Sequence, residues 1–232
     1  MRLTFIAMLL VFSFAAMADE SERMAELRRR MVITQLEARG IRDSATLAAM
    51  RTVPRHEFVP EDRRHQAYAD RPLPIGYNQT ISQPYIVAYM TELLGLEPGQ
   101  RALEIGTGSG YQAAVLAEIT DQVYTIEIIG QLAEFGQNNL RRSGYDQVQV
   151  KHADGYYGWP EHAPFDAIVV TAASPDIPAP LVEQLKDGGV MVIPVGHPFR
   201  TQQLMLVEKK NGEVRTRRLM AVRFVPFTRG QD

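Results

Sequence analysis

The sequence predicts an α/β fold built on a doubly wound, mostly parallel sheet of seven strands, and three observations carry that expectation. From Arg101 onward, short apolar runs alternate with helical stretches, the pattern of parallel strands joined by crossover helices. The first run leads into a turn with three alternating glycines, Gly106, Gly108 and Gly110, ahead of a helix. The last two runs are joined through Asn211-Gly212, the residues of a tight turn, so the sheet should end in an antiparallel hairpin.

The 232 residues suit one domain with a small appendage. Met1-Arg2, the apolar run Leu3 to Ala16, and Ala16-Met17-Ala18 before Asp19-Glu20 have the layout of a secretory signal peptide. The run is shorter than the roughly 20 residues of a membrane span. Residues 1–18 are therefore either a cleavable signal peptide or a frayed start upstream of the domain, and a single domain is expected at 19–232. Residues 19–95 would form an N-terminal helical cap with a long loop, and residues 96–232 the α/β core.

Within the cap, Met24, Leu27, Met31, Ile33 and Leu36 recur at helical spacing and predict a helix from Glu22 to Arg39, stopped by Gly40. Asp43 is placed to cap a second helix, Ser44 to Met50. Five prolines and glycines between Thr52 and Gln79 predict extended loop with one helical turn near Glu61 to Tyr68. A third helix should run from Pro84 to Gly95. In the core, strands are expected at Ala102–Ile105, Gln122–Ile126, Val148–Lys151, Ala167–Thr171, Val190–Pro194, Leu204–Glu208 and Leu219–Phe224. Helices are expected near Tyr111–Ile119, Gln131–Ser143 and Ala179–Leu185.

Composition removes several function classes. The 25 Lys and Arg against 27 Asp and Glu give a net charge of −2, with no run of like charge to hold nucleic acid or an anionic membrane. The absence of cysteine excludes disulfides, thiolate metal sites and cysteine nucleophiles. The five histidines show no metal spacing, so no metal site is expected.

The candidate site residues sit at the carboxyl ends of the expected strands, where open α/β sheets bind ligands. Gly106, Gly108 and Gly110 let the backbone turn sharply and approach a ligand, or simply allow a tight strand-to-helix turn. Their G-x-G-x-G spacing differs from the dinucleotide fingerprint, whose third glycine comes one position later. Glu127 stands 21 residues after Gly106, at the end of the adjacent strand, where a carboxylate accepts hydrogen bonds from a ribose diol. Asp154, before Gly155, suits an adenine amino group or an Asx-turn. Thr171 ends the fourth strand of the core. Ser82 is placed either to cap the following helix or to meet a substrate. No serine occupies the centre of Gly106–Gly110, which disfavours a nucleophile elbow.

Five segments in order, PLPIGYNQTIS at 72–82, LEIGTGSGY at 103–111, FDAIVVTAA at 165–173, LKDGGVMVIPVG at 185–196 and VRFVPFT at 222–228, resemble protein-L-isoaspartate O-methyltransferases, with the likeness extending from about Met31 to Arg229. The resemblance implies a Rossmann-like class I methyltransferase domain with its substrate-side loop in 19–95. It implies methyl transfer from S-adenosyl-L-methionine to the free α-carboxylate of L-isoaspartyl residues in damaged proteins or peptides; the ester then collapses to a succinimide. It assigns cofactor contacts to Thr80, Ile81, Gly106, Thr107, Gly108, Gly110, Glu127, Asp154, Gly155 and Thr171, catalysis to Ser82, and peptide contacts to Leu73, Pro74, Ile75, Gly76, Val222, Arg223, Phe224 and Val225. It implies the cytoplasm, whereas residues 1–18 point to export into the periplasm; a monomer is expected.

Two features depart from the family pattern: Gln83-Pro84-Tyr85 replaces Ala-Pro-His after the serine, and the start of the chain is signal-like. Two further readings stay open at this point. A class I methyltransferase with another acceptor shares the glycine turn and Glu127, and an exported protein could bind damaged peptides without methylating them.

Overall fold

The computed structural model describes residues 20–230, so the expected signal segment lies outside the described residues. Helix α1 occupies residues 20–31 and buries Met24 and Met31. The helical path continues to Arg39 as expected, but Val32–Leu36 form a π-turn and Glu37–Arg39 a 3-10 turn, ended by Gly40 at φ 97°. The wider π-turn shifts the inward face by one position. Val32 is fully buried, while Ile33, expected on the apolar face, is 56% exposed. Helix α2, Ser44–Thr52, begins where the Asp43 carboxylate accepts Thr46 N at 2.6 Å.

The stretch expected to be extended loop is more structured. Arg55–Phe58 and Glu61–Gln66 are 3-10 turns. Strands β1, Leu73–Gly76, and β2, Gln79–Ile81, then pair antiparallel as a small hairpin. Its turn residues, Tyr77 and Asn78, both have positive φ (52° and 56°), the geometry of a primed hairpin turn. Helix α3, Pro84–Leu94, has proline in its first turn and ends at Gly95 with φ 55°.

The sheet contains β3 (Arg101–Ile105), β4 (Gln122–Glu127), β5 (Gln149–His152), β6 (Phe165–Val170), β7 (Leu185–Val195), β8 (Gln202–Lys210) and β9 (Glu213–Val222). Their order across the sheet is β5-β4-β3-β6-β7-β8-β9, parallel from β5 to β7 and antiparallel from β7 to β9. Helices α4 (Tyr111–Ala117), α5 (Gly130–Arg142) and α6 (Ala179–Gln184) make the crossovers. Asn211 (φ 55°) and Gly212 (φ 77°) form the expected turn between β8 and β9.

Strand β9 starts earlier and ends earlier than the expected Leu219–Phe224. Residues 213–218 are exposed and largely charged, as suits a sheet edge, and carry no apolar signal. Phe224 lies beyond the strand, where its N–H donates to Gln202 Oε1 at 3.0 Å.

Alternate residues of the central strands feed two apolar layers. Ala102, Val123, Val169 and Val192 pack with α3 and α4 residues and with Met31, Leu36 and Phe58 of the cap. Leu103, Ile126, Ile168 and Met191 face the α6 side, with Leu181 and Trp159. Burying one such aliphatic side chain contributes about 1.5–3 kcal/mol, so the cap is tied to the sheet by the same cluster that supports the glycine turn. No helix among the described residues is long and apolar enough to cross a membrane.

Candidate active site

The strand order reverses between β3 and β6, and a crevice opens there at the carboxyl ends of the strands. Gly106, Gly108 and Gly110 all have positive φ (98°, 52° and 87°). The Gly106 and Thr107 amides donate to Ile126 O at 2.8 and 3.2 Å, and Thr171 N donates to Ile105 O at 2.9 Å. The Thr171 hydroxyl lies 2.8 Å from Gly106 O, where a side chain at position 106 would collide with it. The turn is therefore clamped between β4 and β6.

Glu127 ends β4, buried at the edge of the crevice. Its Oε2 accepts Gly108 N at 2.9 Å and its Oε1 accepts Ile129 N at 3.0 Å. These two amides fix the carboxylate beside an open cleft lined by Gly106, Gly108, Glu127, Gly155 and Thr171, with Ile126, Ile129, Leu132 and Phe227 as apolar wall. Gly155 cannot be larger, because a Cβ there would run into Ile105 Cγ2. The C-terminal segment forms one side of this cleft. Ala173 N donates to Val225 O at 2.8 Å and Phe227 N to Ala173 O at 2.9 Å, fastening that segment across the end of β6.

A second cavity, about 1100 Å³, adjoins the first and is lined by Ser82, Gln83, Ile86, Arg39 and Met220 to Val225. A third, about 320 Å³, includes Ile81, Ser82, Glu104 and Thr107. Thr80 and Thr171 line all three cavities. Gln83, not Ser82, takes the N-cap position of α3 and makes no side-chain cap bond, so the helix does not depend on the Ser82 hydroxyl.

Among the displaced ionisable groups, Glu104, Arg55 and Asp154 bear on the site. Burial pushes the Glu104 carboxyl up to about 8, assisted by the nearby Glu127 charge and opposed by the Thr125 hydroxyl, which donates to Glu104 Oε2 at 2.6 Å. Burial lowers the Arg55 guanidinium to about 10. Asp154 is partly buried, which disfavours its charge, but hydrogen bonds from Arg229, Tyr156 N and Gly230 N outweigh this and hold it below the usual carboxylate range.

The profile of the protein-L-isoaspartate(D-aspartate) O-methyltransferase family matches residues 27–232. The chain belongs to this family. It is 59% identical over 228 residues to the protein-L-isoaspartate O-methyltransferase of Opitutus terrae, covering 98% of this chain and 97% of that protein. It is 60% identical over 187 residues to protein-L-isoaspartate O-methyltransferase 2 of a Polaromonas species, covering 80% and 89%. A solved protein-L-isoaspartate O-methyltransferase matches with TM-score 0.77 at 31% identity, over 86% of this chain and 65% of that one. A beta-aspartate methyltransferase of Plasmodium falciparum, in complex with S-adenosyl-L-homocysteine, also gives 0.77 at 29% identity, over 88% and 99%.

Against this family frame, the residues singled out in the sequence separate into groups. Thr80, Gly106, Gly108, Glu127, Gly155 and Thr171 come together on the first cleft. Ser82 and Val222, Arg223, Phe224 and Val225 come together on the second cavity. Ile81 and Thr107 reach only the small third cavity.

Gly110 lines none of the three; a Cβ there would sit 2.9 Å from Gly136 O and Leu140 Cγ, so this glycine admits α5 against the turn. Leu73 and Ile75 alternate inward and are buried in the core, while Pro74 and Gly76 are exposed, and none of the four lines these cavities. Pro72, one residue earlier, does line the second cavity. Asp154 sits beside the first cleft with its carboxylate bound to Arg229.

Glu104, Phe227 and Thr228 also line these cavities, although their spacing in the sequence does not single them out. Glu104 lies within the LEIGTGSGY segment, and Phe227 and Thr228 within VRFVPFT, so those segments are the signal that points to them. Among the described residues no group of three or more His, Cys, Asp or Glu could hold a metal ion.

Proposed function

We propose that this chain transfers a methyl group from S-adenosyl-L-methionine to the free α-carboxylate of L-isoaspartyl residues in damaged proteins and peptides, the first step of their repair. The observation that carries this reading is the meeting of two cavities at Thr80 and Thr171, with the glycine turn and Glu127 on one side and Ser82 on the other.

The donor set suits an adenosyl ligand. Glu127 presents a fixed carboxylate to a ribose diol, Gly106 and Gly155 line the cleft with backbone alone, and Ile126, Ile129, Leu132 and Phe227 offer apolar surface to a base. When bound, the cofactor supplies a methyl group activated on a sulfonium centre. An isoaspartyl carboxylate is already ionised near pH 7, so the protein need not supply a strong general base. Its task is to hold two reactants in line, and well-oriented pairs gain about 7–11 kcal/mol from positioning. Ser82 donates a hydrogen bond that orients the acceptor carboxylate and forms no covalent bond to it. Val222 to Val225 form the peptide side.

The proposed working unit is residues 19–232 as a monomeric single domain. The shared apolar cluster of cap and sheet supports one domain. The exposed large apolar residues Ile33, Tyr77, Tyr157, Phe199 and Val214 stand on separate segments, which supports a monomer. The family norm supports the cytoplasm, and the signal-like residues 1–18 favour the periplasm. Mass analysis of the cell-purified protein separates the two: an intact N-terminus supports the first, a start at Asp19 the second.

The repair outcome is tested by incubating an isoaspartyl peptide with the protein and S-adenosyl-L-methionine and following it by chromatography. The proposal expects loss of the isoaspartyl form and appearance of succinimide and aspartyl forms. A peptide that stays unchanged, with the cofactor still bound, would point to a different acceptor.

A further inference from the structure

Arg55 lies between two prolines in a stretch that reads as surface loop, yet its side chain is fully buried. A charged guanidinium taken out of water is costly unless it is paired. No carboxylate pairs with Arg55 among the described residues. Its partners are two backbone carbonyls far apart in sequence. Nε donates to Ala67 O at 2.8 Å and Nη2 donates to Ser82 O at 2.7 Å. The guanidinium carbon lies 4.8 Å from the centre of the Tyr111 ring, and Nη1 has no hydrogen-bond partner among the described residues. Tyr111 is the first residue of α4, directly after Gly110 of the cofactor-side turn.

One planar side chain thus spans the chain leading to the hairpin, the backbone of Ser82, and the first helical residue after the glycine turn. A hydrophobic residue of similar size would fill this space without the desolvation cost. What the guanidinium adds is direction, since its fork is rigid and its donors fix the angle as well as the distance to each carbonyl.

We propose that Arg55 is a positioning residue for methyl transfer, holding the Ser82 backbone at a set distance from the glycine turn. The proposal rests on the role of Ser82 stated above. Arg55 itself lines none of the three cavities.

The test uses Arg55→Lys, Ser82→Ala and the double variant in the full chain. It measures kcat and KM for an isoaspartyl peptide, S-adenosyl-L-methionine Kd by calorimetry, and Tm. Lysine keeps the charge but cannot reach both carbonyls with a rigid fork. Loss of a hydrogen bond to a charged group predicts a fall in kcat of about tenfold or more for Arg55→Lys, with cofactor Kd and peptide KM each within about threefold. The double variant should be no slower than Ser82→Ala alone, because both changes remove the same placement.

Equal losses in kcat, cofactor affinity and Tm would reduce Arg55 to a structural role and overturn the proposal. So would independent, multiplicative losses in the double variant. Wild-type turnover in Ser82→Ala would instead overturn the serine reading, and an Arg55→Lys defect that persisted there would show that Arg55 acts by another route. If Arg55→Lys does not fold, Tyr111→Leu removes the ring beneath the guanidinium and should give the same split between kcat and cofactor Kd; an unchanged kcat in a folded Tyr111→Leu protein would contradict the proposal.

Discussion

Arg229 Nε donates to Asp154 Oδ2 at 2.9 Å, and the Gly230 amide donates to the same oxygen at 3.1 Å. The Arg229 guanidinium also stacks 3.7 Å from the centre of the Tyr156 ring. Asp154 is thereby a fastening point for the C-terminal segment whose residues Val225 to Thr228 wall the first cleft. Because the pair is partly exposed, it should stabilise that segment by only about 0.2–1 kcal/mol. Arg229→Ala is expected to weaken S-adenosyl-L-methionine binding by less than about fivefold, through faster release. Stopped-flow release from the preformed complex measures this; tighter binding would show that Arg229 competes with the cofactor for Asp154.

Gly110 is expected to matter for stability before it matters for cofactor contact. A Cβ at φ 87° would be strained and would sit 2.9 Å from both Gly136 O and Leu140 Cγ. Gly110→Ala should therefore cost at least about 2 kcal/mol. A denaturant titration of the cofactor-free protein checks this, and a normal midpoint with lost cofactor binding would return Gly110 to the cofactor contacts.

Glu104 should make stability fall with rising pH. The folded chain keeps its proton up to about pH 8, whereas an unfolded glutamate releases it near about 4.3. Below both values the proton is bound in either state. Between them only the folded state holds it, so stability declines by at most about 1.4 kcal/mol per pH unit. Glu104→Gln has no proton to lose, so its stability relative to the native protein should be higher at pH 8 than at pH 5. Urea titrations at the two pH values decide; parallel curves would mean that Glu104 is ionised in the folded chain at both.

Ser82→Ala should keep cofactor affinity and lower kcat by about 10- to 100-fold, the loss of one hydrogen bond to a charged acceptor. Single-turnover transfer to an isoaspartyl peptide separates this from slow product release. An unchanged rate would remove Ser82 from the reaction.

The parts of the site legible in the sequence are those set by local spacing. The glycine turn and Glu127 lie at the ends of adjacent strands whose apolar runs are unmistakable, and the sheet brings them to a 2.9 Å contact. The β8–β9 turn was legible for the same reason, since Asn211-Gly212 is a chemical requirement of its geometry. The β1–β2 hairpin was not, because Tyr77 and Asn78 adopt positive φ without a glycine at either position. Arg55 was invisible because burial of a lone charge between prolines depends on Ala67, Ser82 and Tyr111 closing around it. The inward turn of Leu73 and Ile75 likewise needs the hairpin, whose alternation sends them to the core.

The central claim is tested most directly with labelled S-adenosyl-L-methionine and two peptides identical except for isoaspartate or aspartate at one position. The account predicts base-labile methyl incorporation into the isoaspartyl peptide alone. Equal labelling of both peptides, or of neither while the cofactor remains bound, would contradict it.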